Sequence, residues 1–490
     1  MLQQLLTWMT LIITGVCCLQ QVIESEKRQI AVIGSGAAGS SFSYFLNQLY
    51  GVGPVTVFDK QSRVGGRAHV LRLNETSCKQ GVCTPNTYVV ELGASIFAEA
   101  NQHLMNATRE FGLQIDKEYS DDDDSHASVG VWSGHGWKWL ESPNSSKSWL
   151  SQTFANLKLL WHYGIFNGPL KATRLAKEAA SKFNVVYDLL AANNNSYHFT
   201  NVHNLIDDLD ISDLLSQTAS DYFKANGISD AFINDFIGGI TRTTYLQDMD
   251  SIHSFGSLIS LFSGLEGMHS VADGNYRIFE HMLKSSKASV VLGTAVESIN
   301  RSKSGKFILS FDNRPDELFD LVVLASPPGS VSLPPDIPVA MPRFEYIQLL
   351  VTVVVGELNP AYFGLKTQSQ IPSSIMTPFN ADSDIPFYSM SILHTLNKTQ
   401  SIVKFFSPAQ SSIQSHLDKL FVKRKSTFQH TWNDFGSYPY LRPSANYSLP
   451  VLLDNNGIVL INSFERFIST METETIAGRN AAALVYQMVQ

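Results

Sequence analysis

The chain has 490 residues, is 44% hydrophobic and 16% charged, and carries a formal net charge of −8. That length exceeds what one hydrophobic core fills, so two intertwined domains are expected, with the side-chain balance of a globular enzyme. A net negative chain without a basic stripe is unsuited to nucleic acid.

Residues 1–18, MLQQLLTWMTLIITGVCC, contain no charged side chain. The apolar run from Leu5 to Cys18 is short for a membrane span and suits the core of a signal peptide, read as residues 1–20, although the usual basic residue before it is missing. An uncleaved anchor is the alternative. No later segment has 18 uninterrupted apolar residues, so no membrane span is expected in the mature protein. Its oligomeric state is not legible.

Residues 30–39, IAVIGSGAAG, organise the rest. Ile30 to Ile33 read as a short buried strand, and Gly34, Gly36 and Gly39 form a GxGxxG turn into a helix. The first glycine permits the turn, the second lets a pyrophosphate approach, and the third lets helix and strand pack closely; Ala37 and Ala38 complete the cradle. Phosphates favour such a helix N-terminus because its N–H groups are unpaired. Phe42, Phe45, Leu46 and Leu49 follow on one helical face, with Gly51 as the stop. A second strand, Val55 to Phe58, ends in Asp59, 20 residues after Gly39, where an acid is wanted for a ribose hydroxyl, with Lys60 beside it. Gly65, Gly66 and Arg67 then match the GGR that lies against the FAD phosphates in flavin amine oxidases.

Cys17 and Cys18 fall in the leader, which leaves Cys78 and Cys83 to close a small loop in an oxidising compartment. Seven sequons, at Asn74, Asn106, Asn144, Asn194, Asn300, Asn397 and Asn446, give a secretory route modest support. Residues 84–97 repeat the pattern of a strand followed by small residues, with Glu91, Gly93, Ala94 and Ser95 at its end. In flavin oxidases such a stretch lies near the isoalloxazine ring; a plain hairpin strand is the alternative. Asp121 to Asp124 read as a solvated loop.

From 147 to 285 the pattern is mostly helical: Trp149, Leu150, Phe154, Leu157 and Trp161, then Leu175, Ala179, Phe183, Val186 and Leu190, recur at helical spacing and read as core. No second GxGxxG appears, so a nicotinamide domain is not expected and molecular oxygen is the simplest electron acceptor. Strands return at 288–328, where Thr294, Val296 and Ile299 match a strand passing the adenine and Asp320 to Ala325 rejoin the main sheet. Residues 348–358 read as a buried strand of a second sheet. The strand at 454–464, with Glu465 and Met471 around the following turn, has the form of the segment at the flavin pyrimidine end, and a closing helix carries Gly478 and Ala481 to Ala483 for close packing. GxSxG, HExxH and cysteine clusters are absent, the 13 histidines are scattered, and no metal site is expected.

The fold class is therefore α/β: a Rossmann-like FAD-binding domain of the flavin amine oxidase type, assembled from residues 28–100, 286–335 and 431–490. An α+β substrate domain is inserted, mainly helical at 101–285 and a sheet at 336–430.

With these motifs in hand, the chain resembles the prenylcysteine oxidase family, known in plants as farnesylcysteine lyase. The specific blocks are ELGASI at 91–96, FINDFIGGITRTTY at 232–245, VADGNYRI at 271–278, VKFFS at 403–407, YPYLRP at 438–443 and NSFERFISTMETETIAGRNAA at 462–482. The resemblance implies noncovalent FAD, oxygen, and oxidative cleavage of the thioether of farnesyl- or geranylgeranylcysteine in a lysosome or vacuole. Hydride leaves the isoprenoid C1 beside sulfur for flavin N5, water adds, and the hemithioacetal collapses to a prenyl aldehyde and cysteine, while oxygen becomes hydrogen peroxide. It also implies that Lys404 orders a water near the flavin and that Arg242 and Tyr245 receive the cysteine carboxylate; the alternative for Arg242 is an ion pair within the helical domain. The helical insert and the LLVTVVV strand are expected to line the tail pocket. Phe97, Ala98 and Glu99 stand where relatives carry a histidine and a proline. A flavin amine oxidase, and a secreted flavoprotein without turnover acting as a binding partner, are the rival readings.

Overall fold

The computed structural model describes residues 28–490 apart from 80, 118–127, 142–160, 165–167, 266, 340, 342–343, 380 and 382–383. The leader with Cys17 and Cys18, the Asp121–Asp124 run, the Asn144 sequon, and Trp149, Leu150, Phe154 and Leu157 lie outside the described residues.

The organising strand is Ile30–Ile33, buried along its whole length because it lies between two parallel neighbours, Thr56–Asp59 and Leu321–Leu324. The sheet has six strands, in the order 289–292, 56–59, 30–33, 321–324, 458–460 and 452–454, and only the last runs antiparallel. Segments 28–100, 286–335 and 431–490 supply all six. A parallel sheet must be covered on both faces. One face carries the helix Ala37–Tyr50, capped at Gly51 in the left-handed region, with the helices Tyr276–Ser285 and Met471–Val489 against it. Gly478 makes the close approach possible: a Cβ there would lie 2.2 Å from Ser41 Oγ. The other face carries a small antiparallel sheet whose Ile299, Phe307 and Leu309 pack against Ala31, Ile33 and Phe58.

A second sheet has seven strands, in the order 421–432, 349–358, 401–408, 389–395, 374–376, 129–132 and 137–140. Its last two strands come from a region expected to be mainly helical; the alternation Val129, Val131 and Trp137, Trp139 is short enough to be lost among the helical patterns around it. Above this sheet sit the helices Pro169–Asn195, Gly238–Tyr245 and Ser254–Ser263. Leu175, Ala179, Phe183, Val186 and Leu190 all face the core, as their spacing requires. Trp161 does not: it is 86% exposed, while Tyr163 turns inward against Phe232. Leu49 likewise lies at the rim of its helix, 37% exposed.

The stretch from 84 is the second arm of a long hairpin, Val70–Lys79 with Val82–Glu91, in which Cys78 and Cys83 face each other and are disulfide-bonded. Only its inner end is buried. Val90 and Glu91 carry the chain into the cavity described next.

Candidate active site

A cavity of about 600 Å³ runs from the glycine turn, between the two sheets, to the helical layer. Its two ends are built differently.

At the first end the three glycines separate by what surrounds them. A Cβ on Gly34, whose φ is +112°, would meet Ala325 O at 2.5 Å, and one on Gly39 would meet Gly34 O at 2.0 Å. The protein's own packing demands both, so Gly39 lies behind the cavity wall. Gly36 is different, because the nearest protein atom to its Cβ position is Gly66 Cα at 3.8 Å. Its bare backbone faces the cavity beside Gly34, Ala37 and Ala38, at a helix N-terminus that no side chain caps. A cradle that a side chain would fill, under unpaired N–H groups, fits a pyrophosphate.

Asp59 lines the cavity, but its carboxylate first braces the turn, accepting from Ser35 N at 2.8 Å, Ser35 Oγ at 2.6 Å and Gln61 N at 2.8 Å. Lys60 sits at the rim in an exposed ion pair with Asp434. Gly65 and Gly66, both at positive φ, bring their loop against Gly36. Arg67 lines the cavity, yet its guanidinium is turned onto Glu465, at 2.5 Å and 3.3 Å, and onto Ser437 O at 3.0 Å. Glu465 is fully buried and also accepts from Tyr346 and Asn462. It is therefore a partner beneath the wall and not part of the lining, because this buried carboxylate must be paired.

In the middle, Gly93 packs on the same loop, its Cβ position 2.0 Å from Arg67 O, and Ala94 and Ser95 follow along the wall with Val296 and Met471. Asn275, which nothing in its sequence block distinguished, holds this stretch in place. Fully buried, it donates to Ala94 O at 2.8 Å and Ser95 O at 2.9 Å, while its backbone N–H donates to Glu91 Oε1 at 2.6 Å. Lys404 projects from the strand Ser401–Pro408 and is buried, with Nζ 3.1 Å from Ser95 Oγ and 3.3 Å from Glu91 O. Phe97 and Ala98 present only apolar surface to the cavity.

At the far end Phe183, Ile240, Ile259 and Phe262 make an apolar chamber. Tyr245 lines it, fully buried, with a hydroxyl that finds no partner among the described residues; burial pushes its pKa up, so it stays a neutral donor. Arg242, three residues earlier on the helix, is not among the lining residues. Its guanidinium stacks 4.7 Å over Tyr388, donates to Pro378 O at 2.6 Å and lies 3.4 Å from Asp248. The ion-pair alternative is thus what the structure holds. Of the LLVTVVV strand only Leu349 reaches the cavity, since Val351, Val353 and Val355 pack with Trp432 in the core.

Buried polar atoms are nearly always paired. Among the described residues Gln61 Oε1, Asn462 Oδ1, Tyr245 Oη and both oxygens of Glu474 find no partner, and all four residues line this one cavity. Burial, and Glu465 nearby, hold the Glu474 carboxyl above the usual carboxylate range. Such a convergence fits a polar ligand that completes these groups. Beside it Glu472 accepts from His103 N, Leu104 N and the Tyr187 hydroxyl, and burial still raises its carboxyl to about 7. His103, 3.8 Å from Glu472, is neutral and no ion-pair partner, held down to about 3 by burial and by Arg479.

Among the described residues no group of histidine, cysteine and carboxylate side chains could hold a metal, and no helix is long and apolar enough to cross a membrane. A dinucleotide turn opening into a cavity under an inserted sheet defines an oxidoreductase with the fold of the flavin amine oxidases. Solved structures of that fold include putrescine oxidase bound to putrescine, 14% identical with a TM-score of 0.58 over 94% of this chain and 98% of that one. Cyclohexylamine oxidase from Brevibacterium oxydans, also 14% identical, gives 0.57 over 94% and 99%. Residues 32–111 match an NAD(P)-binding Rossmann-like domain, and residues 145–490 match the prenylcysteine lyase family. The chain belongs to the prenylcysteine lyase family. Farnesylcysteine lyase of Arabidopsis thaliana is 26% identical, covering 95% of this chain and 89% of that protein. Prenylcysteine oxidase 1 of Mus musculus is 26% identical over 98% and 93%.

Proposed function

We propose that this protein is an FAD-dependent oxidase that cleaves the thioether of a prenylated cysteine to prenyl aldehyde, free cysteine and hydrogen peroxide, consuming oxygen and water. The observation that carries the reading is the single cavity joining a phosphate cradle to an apolar chamber, in a chain of this family. FAD would be held by Gly34, Gly36, Ala37 and Ala38 at the pyrophosphate, Asp59 at the ribose, Gly65 and Gly66 alongside, Val296 at the adenine, and Gly93 to Ser95 with Met471 at the ring. When bound it supplies the hydride acceptor for the allylic carbon beside sulfur and passes the electrons to oxygen.

The chain's own residues do the rest. Phe183, Ile240, Ile259 and Phe262 take the tail out of water, and at roughly 0.8 kcal/mol per buried CH₂ a farnesyl chain offsets the cost of being ordered. Lys404, fixed by Ser95 and Glu91, orders the water whose oxygen becomes the aldehyde oxygen. Sulfur departs with a proton as the thiol. Cys78 and Cys83, bonded to each other, offer the flavin no thiol, which supports noncovalent binding. That disulfide and the exposed sequon asparagines Asn74, Asn106, Asn194, Asn300 and Asn446 support a secretory route, ending in a lysosome or vacuole.

Anaerobic mixing of the flavin-loaded protein with farnesylcysteine should bleach the flavin absorbance, and air should restore it with peroxide release. An absorbance that never bleaches would eliminate this function. Bleaching by a polyamine instead would assign the protein to the amine oxidases whose fold it shares.

A further inference from the structure

With Arg242 turned away from the cavity, the charged head of a cysteine thioether needs another receptor. A row of polar side chains crosses the sheet wall. Ser374 pairs with Ser391 on the neighbouring strand, and Ser391 pairs with Lys404 on the next, so the three stand side by side across three strands. All three line the cavity, as does Ser389, two residues from Ser391 on the same face. Directly opposed residues of an antiparallel pair lie within about 5.5 Å at Cβ, so one small anion reaches adjacent members of the row.

These serines are not needed by the sheet. Among the described residues the hydroxyls of Ser374, Ser389 and Ser391 bond to no protein group. Beyond the row the wall is apolar, with Met376 and Phe406 on the same strands and Ile240, Ile259 and Phe262 facing it. The other cations of the lining lie toward the nucleotide end, Lys60 with Asp434 and Arg67 with Glu465. Lys404 brings a positive charge to this wall while its ammonium is steadied by Ser95 Oγ.

We infer that Ser374, Ser391 and Lys404 form the subsite for the substrate's α-carboxylate, the serine hydroxyls donating to it and Lys404 supplying the opposite charge. The prenyl tail then extends across the cavity into the helical chamber, and the row selects an amino-acid thioether over a plain prenyl sulfide. This rests on the thioether reading above and deepens it.

The test measures equilibrium binding of S-farnesylcysteine and of farnesyl methyl sulfide, which lacks the head, to the anaerobic flavin-loaded protein and to Ser374→Ala, Ser391→Ala and the double variant. Each hydroxyl removed should raise the Kd for S-farnesylcysteine about tenfold and leave that for the sulfide unchanged. Equal weakening of both ligands would make the row merely structural and overturn the proposal, as would no change for either. If the unaltered protein is bleached by both ligands and binds them equally, the head subsite is wrong while the thioether reading stands. If neither ligand binds or bleaches it, that reading falls and the subsite with it.

Discussion

The two ends of the cavity make opposite use of the chain. The nucleotide end is shaped by side chains that are missing: Gly34 and Gly39 answer to the protein's own backbone, and Gly36 to something outside it. The thioether end is shaped by side chains that are present, brought from helices and strands far apart in sequence. A site built from backbone is intolerant of any added atom, whereas one built from side chains is tuned a group at a time.

The largest effect that would sharpen this contrast lies within the glycine turn itself. Gly36→Val should fold normally, since no protein atom lies within 3.8 Å of the new Cβ, but should lose flavin entirely. Gly39→Val should instead fail to fold, because its Cβ would sit 2.0 Å from a carbonyl oxygen. Flavin content against thermal unfolding tells them apart, and a Gly36→Val protein that retains its flavin would break the comparison.

A smaller effect belongs to the buried acids between the two ends. Glu472 has its carboxyl raised by burial to about 7. Its contribution to stability is therefore fully present below the unfolded value near 4.5 and is lost as pH rises through 7, by about 3 kcal/mol. His103 and His253, lowered to about 3 by burial, act in the opposite sense, their contribution present above 6.5 and lost as pH falls toward 3. Glu472→Gln should remove its share of the decline between pH 4.5 and 7, measured as urea midpoints, and leave in place both the share of Glu474, whose carboxyl is also raised, and the acid-side loss. Unchanged midpoints across that window would mean that Glu472 is ionised throughout.

The smallest effect concerns Arg242. Arg242→Ala should cost about 1–2 kcal/mol of stability, through the lost bond to Pro378 O and the unpaired Asp248, without changing affinity for the amino-acid head. A selective loss of head affinity would return Arg242 to the site.

The same contrast explains what was legible in the sequence. The glycine turn, Asp59, the GGR loop and the closing helix were readable because backbone geometry leaves a local signature in residue type and spacing. Lys404 and Tyr245 were found through family blocks, and both line the cavity. Arg242 was misplaced because neighbours on one helix, three residues apart, point to different surroundings, which spacing alone does not reveal. Asn275 and Glu474 lay inside family blocks, but nothing within those blocks marked them: each matters through partners more than 170 residues away or, among the described residues, through having none. The strands at 129–140 were hidden for the related reason that two four-residue runs become a sheet edge only when Ser374–Met376 pairs with the first of them.

The central strand has a consequence for how this protein is made. Ile30 pairs with Leu321, and the strand is flanked on that side by nothing else. Loop closure over such a span is slow, and at roughly 5–20 residues per second a ribosome needs about 15–60 s to supply the partner. For that interval a wholly apolar strand of the sheet has emerged with one edge bare, a template for pairing with another chain. Yield of the folded protein should thus be limited during synthesis, by how well that edge is shielded until the second half of the chain arrives.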